Sequence, residues 1–372
     1  MRRPQNQTQS RPPINYGRQK RHLISNDFLK LMIIILAALF VLLLVTFFIL
    51  KAVNNDSGES NMPKETEPPT ESVGQTPPSE ENPSATVKRW QKNPLDEVGF
   101  SLSADTGTVA LKSSDIYSNY ILMIDAETGR IVCQFESEER MYPASMTKVM
   151  TVIVACDLIE DMDSTFTLTD EIINPLVVEN ASRAEFKVGE PIPMIDLIYG
   201  AMLPSGADAT AAIAISLAGS EENFVELMNQ KAAELGCTNT HFTNVSGLHD
   251  KNHYSTARDM AVIMAYAVHN TFLKEVMSSE TYTPSAPLTS GGTKLRSTWK
   301  GQQGSYVSNK ATILAAKTGY TEEAGNCLAS LSRGSDGREY IIISAGAFRT
   351  DEISGKNQTF ADVQKLCDRF IK

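Results

Sequence analysis

Three short motifs, set 60 and 112 residues apart, constrain this chain more than anything else in it. The first is Ser145-Met146-Thr147-Lys148, a hydroxyl and an amine three positions apart. The second places Ser205 in Pro204-Ser205-Gly206-Ala207-Asp208, and the third is Lys317-Thr318-Gly319. Each alone is short enough to arise by chance. Taken in this order they ask for a fold that draws three distant segments to one cleft.

The chemistry explains why these residue types belong together. A serine hydroxyl is a weak nucleophile at neutral pH and needs an adjacent base. A lysine serves only when burial or neighbouring positive charge lowers its pKa. Residues 146–158 are mostly apolar and predict a buried helix, with Pro143 suited to its start. On that helix Ser145 and Lys148 share one face. Ser145 at its N-terminus would meet free N–H groups and the positive end of the dipole, which favour an alkoxide and disfavour a charged lysine. Ser145 is therefore the expected nucleophile and Lys148 its base.

Ser205 is a second hydroxyl, expected to relay a proton between Lys148 and a leaving amine, or to cap the alanine-rich helix predicted over residues 207–218. Residues 311–316 read as a strand leading into Lys317-Thr318-Gly319. Alternation puts Lys317 and Gly319 on one face and Thr318 on the other. A glycine facing the cleft would let a substrate approach the backbone. An edge strand here would pair with a bound peptide, and Lys317 would attract its carboxylate.

The set resembles the D-alanyl-D-alanine carboxypeptidases, the low-molecular-mass penicillin-binding proteins of cell-wall metabolism and cell shape, over roughly residues 93–372. The likeness extends to the hairpin at 120–135 with its Glu127-Thr128-Gly129 turn, to Phe242-Thr243-Asn244-Val245-Ser246-Gly247-Leu248, to His253-Tyr254-Ser255-Thr256-Ala257-Arg258-Asp259, and to Ala324-Gly325-Asn326-Cys327-Leu328. The resemblance implies a serine hydrolase that removes the terminal D-alanine of peptidoglycan stem peptides through an acyl-enzyme, with β-lactams as covalent inhibitors. Ser145, Lys148 and Ser205 would be catalytic. Lys317, Thr318, Gly319, Tyr320 and Arg349 would bind substrate, and the N–H groups of Ser145 and Tyr320 would form the oxyanion hole. A class A β-lactamase would carry a deacylating glutamate in a Glu-x-x-Leu-Asn string after Ser205, and none occurs.

One position departs from the pattern. The family's second motif is Ser-Gly-Asn, and here Ala207 stands third. Losing one polar contact costs ~1–3 kcal/mol, roughly one to two orders of magnitude in rate. A weakly active or non-catalytic homologue that captures penicillin or muropeptide is thus the alternative reading.

Residues 31–50 carry no charge and are bounded by Lys30 and Lys51. At ~1.5 Å per residue they would span ~30 Å, the thickness of a hydrocarbon core. Residues 1–30 hold seven Lys/Arg against one Asp, which places them in the cytoplasm and the remainder outside. A cleaved signal peptide has an apolar region of only ~7–15 residues and a small-residue cleavage site, so a single-pass anchor in the cell membrane is favoured. Residues 51–89 read as a disordered acidic, proline-rich spacer, with six prolines, seven acidic residues and no aromatic ones across 54–85. The net charge of −10 includes +6 in the first 30 residues, which leaves −16 for the rest and argues against nucleic acid as a partner.

Residues 90–372 have globular composition and suffice for one large core. Strand signals fall at 120–135, 313–317, 327–331 and 340–347, with helical patterns between. The expected fold class is α/β (α+β), one antiparallel sheet with packed helices and a helical subdomain. The resemblance implies the β-lactamase/transpeptidase-like version of it. The stretch after Gly319 is shorter than the β-rich C-terminal domain of many members. The five cysteines fit no metal spacing and read as free, mostly buried thiols. His249 and His253 are four apart, but Asp250 stands where a zinc-protease helix places its Glu, so neither metal nor cofactor is expected.

Overall fold

The computed structural model describes residues 94–97, 99–289, 291–348 and 355–372. The basic tail, the apolar stretch 31–50, the spacer and Arg349 lie outside the described residues.

A single turn of helix, α1 (Pro94–Glu97), precedes the strands β1 (Val109–Ala110), β2 (Tyr120–Asp125) and β3 (Ile131–Phe135). These join β8 (Ala311–Thr321), β9 (Gly325–Gly334) and β10 (Glu339–Ala347) in one six-stranded sheet, ordered β1-β3-β2-β10-β9-β8. Every pairing is antiparallel except that of β1 with β3. The N- and C-terminal strands thus meet at the centre, where Ile341 opposes Ile124 and Ile343 opposes Leu122. Two short ribbons, β4 (Thr165–Thr167) with β5 (Pro191–Pro193) and β6 (Thr281–Tyr282) with β7 (Leu295–Arg296), lie outside it.

The sheet is buried on both faces, and strand periodicity sorts the side chains. Ile121, Met123 and Ile342 pack with Phe360, Val363 and Leu366 of helix α10 (Gly355–Phe370). Leu122, Ile124, Ile341 and Ile343 point the other way, into the larger core. That core is built from α2 (Thr147–Leu158), α3 (Asp170–Val178), α4 (Met194–Met202), α5 (Ala207–Ala218), α6 (Glu221–Glu234), α7 (Ala257–His269) and α8 (Thr271–Ser278), whereas Trp299 of the short α9 (Thr298–Gln303) packs on the α10 side.

Helix α2 is apolar on every side and accordingly central. Val149, Met150, Val152, Ile153, Val154 and Ala155 are all fully buried. Burying each of the larger of these side chains contributes about 1.5–3 kcal/mol, so the helix that carries Lys148 is fixed by its surroundings rather than by its own propensity. All five cysteines are free thiols, and Cys133, Cys237, Cys327 and Cys367 are buried.

Candidate active site

The three motifs converge on one cavity of about 300 Å³. Ser145, Lys148, Ser205, Ala207, Thr318, Gly319 and Tyr320 line it. Three elements deliver them. The turn before α2 brings Ser145, the loop before α5 brings Ser205, and edge strand β8 brings residues 318–320.

Ser145 sits in a 3-10 turn, Ala144–Met146, and the α-helix proper starts at Thr147. Ala144 takes φ +47° and Ser205 takes φ +66°. Left-handed conformations of this kind cost non-glycine residues of order 1–3 kcal/mol and gather at functional sites. Here one immediately precedes Ser145 and the other is Ser205 itself. Gly319 of β8 presses on the first turn, because a β carbon there would lie 3.0 Å from the Ser145 nitrogen. Gly319 lines the cavity and also makes room for the Ser145 turn. Its lack of a side chain brings the strand backbone against that turn and sets Ser145 and Tyr320 on one wall.

Lys148 Nζ lies 2.9 Å from Ser145 Oγ and donates to the Ser246 carbonyl at 2.6 Å. Lys148 is 2% exposed. Burial brings its pKa down to about 7, with the Asp208 carboxylate pulling the other way. Much of this lysine is therefore neutral near pH 7, beside the hydroxyl whose proton it would take.

Across the cleft, Lys317 Nζ donates to Ser205 Oγ at 2.8 Å and to the Thr318 carbonyl at 2.9 Å. Burial, then the nearby Lys148 charge, holds Lys317 well below the ordinary lysine range. A ligand carboxylate placed there would raise it again, since an opposite charge favours the ammonium form. Ser205 does not cap α5, because the N-cap position belongs to Gly206. Its hydroxyl is committed to Lys317. Thr318 Oγ1 meets Thr298 Oγ1 at 2.8 Å and lines the cavity, although simple alternation puts it opposite Lys317.

Several contributors were not singled out from sequence. Ser246 supplies the second partner of Lys148, and Thr298 that of Thr318. His253 Nδ1 accepts from the Thr243 N–H at 3.1 Å, so Nε2 carries the proton and donates to Thr147 Oγ1 at 2.7 Å. Burial lowers this histidine's pKa to about 4, which leaves it neutral near pH 7. It anchors the residue beside Lys148. Asp208 accepts N–H bonds from Ala184, Glu185 and Ala209 at 2.7–2.9 Å. Ser246, His253 and Asp208 stand next to the motifs or within the segments that carry the resemblance, so their signal was adjacency, without a periodicity or spacing to assign roles, whereas Thr298 lies in neither and carried no signal.

The peptidase S11, D-alanyl-D-alanine carboxypeptidase, profile matches residues 107–348, about two thirds of the chain. The chain belongs to the D-alanyl-D-alanine carboxypeptidase family. It is 29% identical over 227 residues to the D-alanyl-D-alanine carboxypeptidase DacF of Bacillus subtilis, covering 60% of this chain and 56% of that protein. It is 31% identical over 208 residues to the carboxypeptidase of Streptomyces sp. strain K15, 54% of this chain and 71% of that one. With Escherichia coli DacA it shares 32% identity over 248 residues, 64% of this chain and 58% of the other. The chain thus spans little more than half the length of DacF and DacA. The crystal structure of the Streptomyces K15 DD-transpeptidase superposes with a TM-score of 0.60 at 25% identity, over 68% of this chain and 95% of that one. Penicillin-binding protein 5 of Haemophilus influenzae gives 0.57 at 27% identity, over 68% and 70%. The transpeptidase-like fold expected from the family resemblance is therefore the fold observed. Ala207, the family departure, lines the cavity with no side-chain polar group to offer.

Proposed function

We propose that this protein is a serine-type D-Ala-D-Ala carboxypeptidase that trims peptidoglycan stem peptides. The observation that carries the reading is the contact between a buried lysine of lowered pKa and Ser145 Oγ, on a cavity shared with the Lys317–Ser205 pair.

Ser145 Oγ attacks the carbonyl of the penultimate D-alanine while neutral Lys148 takes the hydroxyl proton. The developing oxyanion receives the N–H groups of Ser145 and Tyr320. Collapse breaks the peptide C–N bond, and the proton passes through Ser205 to the leaving D-alanine amine. Water then attacks the Ser145 ester and gives its proton to Lys148, and as the acyl C–O bond breaks Lys148 returns that proton to Ser145 Oγ, which releases the shortened peptide and restores both residues. Lys317 and Thr318 hold the terminal carboxylate. β8 lies at the edge of the sheet, and the peptide backbone adds to it as a further strand. β-Lactams acylate Ser145 by the same first step.

Residues 31–50 form a single-pass anchor in this reading, with the basic N-terminus cytoplasmic, the spacer outside, and the catalytic domain facing the wall. The length of the apolar stretch and the basic residues before it support that arrangement. Among the described residues no helix is long and apolar enough to cross a membrane. Residues 31–50 lie outside them.

A fluorescent penicillin tests the acylation step. Stable labelling of the unmodified chain, lost in Ser145→Ala, is the expected result. Release of D-alanine from a pentapeptide ending in D-Ala-D-Ala then separates turnover from capture. An unlabelled, correctly folded chain would overturn the reading.

A further inference from the structure

Ala207 leaves the site short of the amide that the family's second motif supplies, and the structure carries another amide into the same cavity. Helix α3 ends at Val178, and the chain reverses through Asn180 at φ +52°. The Asn180 N–H donates to the Val177 carbonyl at 3.1 Å, and the Ala181 N–H to Leu176 at 2.9 Å, so the turn is closed by backbone alone. Asn180, Ala181 and Ser182 then line the cavity beside Ser145, Lys148, Ser205 and Ala207.

This segment is clamped to the second motif. The Ala207 N–H donates to the Ser182 carbonyl at 2.7 Å. The Asp208 carboxylate accepts from Ala184 and Glu185 at 2.7 and 2.9 Å. A β carbon on Gly206 would lie 2.8 Å from the Ala184 nitrogen, so the two backbones touch there. Asn180 is thereby delivered within two residues of the group bonded to Ala207.

Two further side-chain amides line the cavity, Gln302 from the short helix α9, well away from Ala207 in the chain, and Asn326, which is engaged. Asn326 Nδ2 donates to the Ala347 carbonyl at 3.2 Å. The Asn180 side chain is exposed and makes no side-chain hydrogen bond among the described residues. Asparagine tolerates the left-handed turn, which accounts for its backbone. That requirement does not account for an unengaged amide on the wall of the cleft.

We propose that the Asn180 side-chain amide is a substrate-binding group, taking the role vacated at Ala207 by hydrogen-bonding the backbone amide of the acyl donor on the N-terminal side of the scissile bond. This rests on the carboxypeptidase reading above. It assigns recognition of that amide to the loop after α3 rather than to the start of α5.

The test compares the full chain with Asn180→Gly and Asn180→Asp. Glycine keeps the left-handed turn and removes the amide; aspartate keeps the shape and removes the N–H donor. Acylation rates are measured with benzylpenicillin, which carries a side-chain amide, and with 6-aminopenicillanic acid, which lacks it. The expected result is a 10- to 100-fold loss of acylation efficiency toward benzylpenicillin in Asn180→Gly, with less than a threefold change toward 6-aminopenicillanic acid. Asn180→Asp loses at least fivefold toward benzylpenicillin alone. Equal losses for both compounds, or a benzylpenicillin rate within twofold of the unmodified chain, would overturn the proposal while leaving Ser145 acylation intact. Failure of the unmodified chain to react with either compound would overturn the underlying reading first.

Discussion

Gly247 lies flush against the main-chain carbonyl of Ala144, so close that a β carbon at 247 would overlap that oxygen. The contact joins two segments about a hundred residues apart. Ala144 holds the strained turn that presents Ser145, and the residue before Gly247 supplies the carbonyl that receives Lys148. Gly247 itself takes φ +81°, a conformation that resists any side chain. Ser145 and Lys148, the proposed nucleophile and base, are thus positioned by one loop.

Gly247→Ala is therefore expected to be among the most damaging single-methyl changes in the protein. Strain and backbone displacement together should cost about 2–4 kcal/mol of stability. Thermal unfolding would show a fall of several degrees, and penicillin labelling should slow by at least tenfold. An unchanged midpoint with unchanged labelling would contradict the packing described.

Acylation should depend on pH through Lys148. Its conjugate acid, with a pKa brought down to about 7, is the inactive form, so the neutral base accumulates as pH rises. The acylation rate should climb between about pH 6 and pH 8 and level off above. Lys148→Arg should abolish labelling at every pH, because a guanidinium keeps its proton. A rate independent of pH across this window would remove Lys148 from the role of base.

Ser205 and Lys317 should separate into different kinetic losses. Ser205→Ala removes the proposed relay and leaves Lys317 bonded to the Thr318 carbonyl, so kcat should fall about 10²–10⁴-fold with KM little altered. Lys317→Ala removes the proposed carboxylate partner, so KM for a D-Ala-D-Ala peptide should rise about tenfold or more. Steady-state D-alanine release distinguishes the two; a pure KM effect in Ser205→Ala would argue against proton relay.

His253 should make stability sensitive to mild acid. Its pKa is about 4 in the fold and near 6.5 when unfolded, so the unfolded chain binds the extra proton between these values. The contribution of His253 is fully present above about pH 6.5 and is lost as pH falls toward 4, amounting to about 3 kcal/mol by linkage. Urea unfolding at pH 7 and pH 4.5 should show this loss, and His253→Gln should reduce the difference. An identical pH dependence in the variant would show that other groups carry it.

Much of the candidate site's geometry was legible in the chain because it is local. A serine and a lysine three apart before an apolar run meet on one helical turn whatever surrounds them, and β-strand alternation put Lys317 and Gly319 on the same face. The hairpin and the late strands were also readable, though β8 runs on through Thr321, since sheet pairing with β9 outweighs the polar residues at its end. Other features were invisible for a physical reason. Nothing near Lys148 in sequence foretells its bond to Ser246, the neighbourhood that lowers its pKa, or the histidine behind Thr147, because desolvation and long-range hydrogen bonds depend on what packs there.

Gly319 shows the boundary most plainly. Residue type declared that backbone must come close at that position; only tertiary structure decided that the approaching backbone belongs to Ser145. Sequence determined which groups this protein possesses and which near neighbours share a face, because backbone geometry over a few residues is fixed by covalent and steric rules. The closure of three remote segments around one cavity, and the burial that lowers the pKa of Lys148, came from the packing of the sheet and helices as a whole.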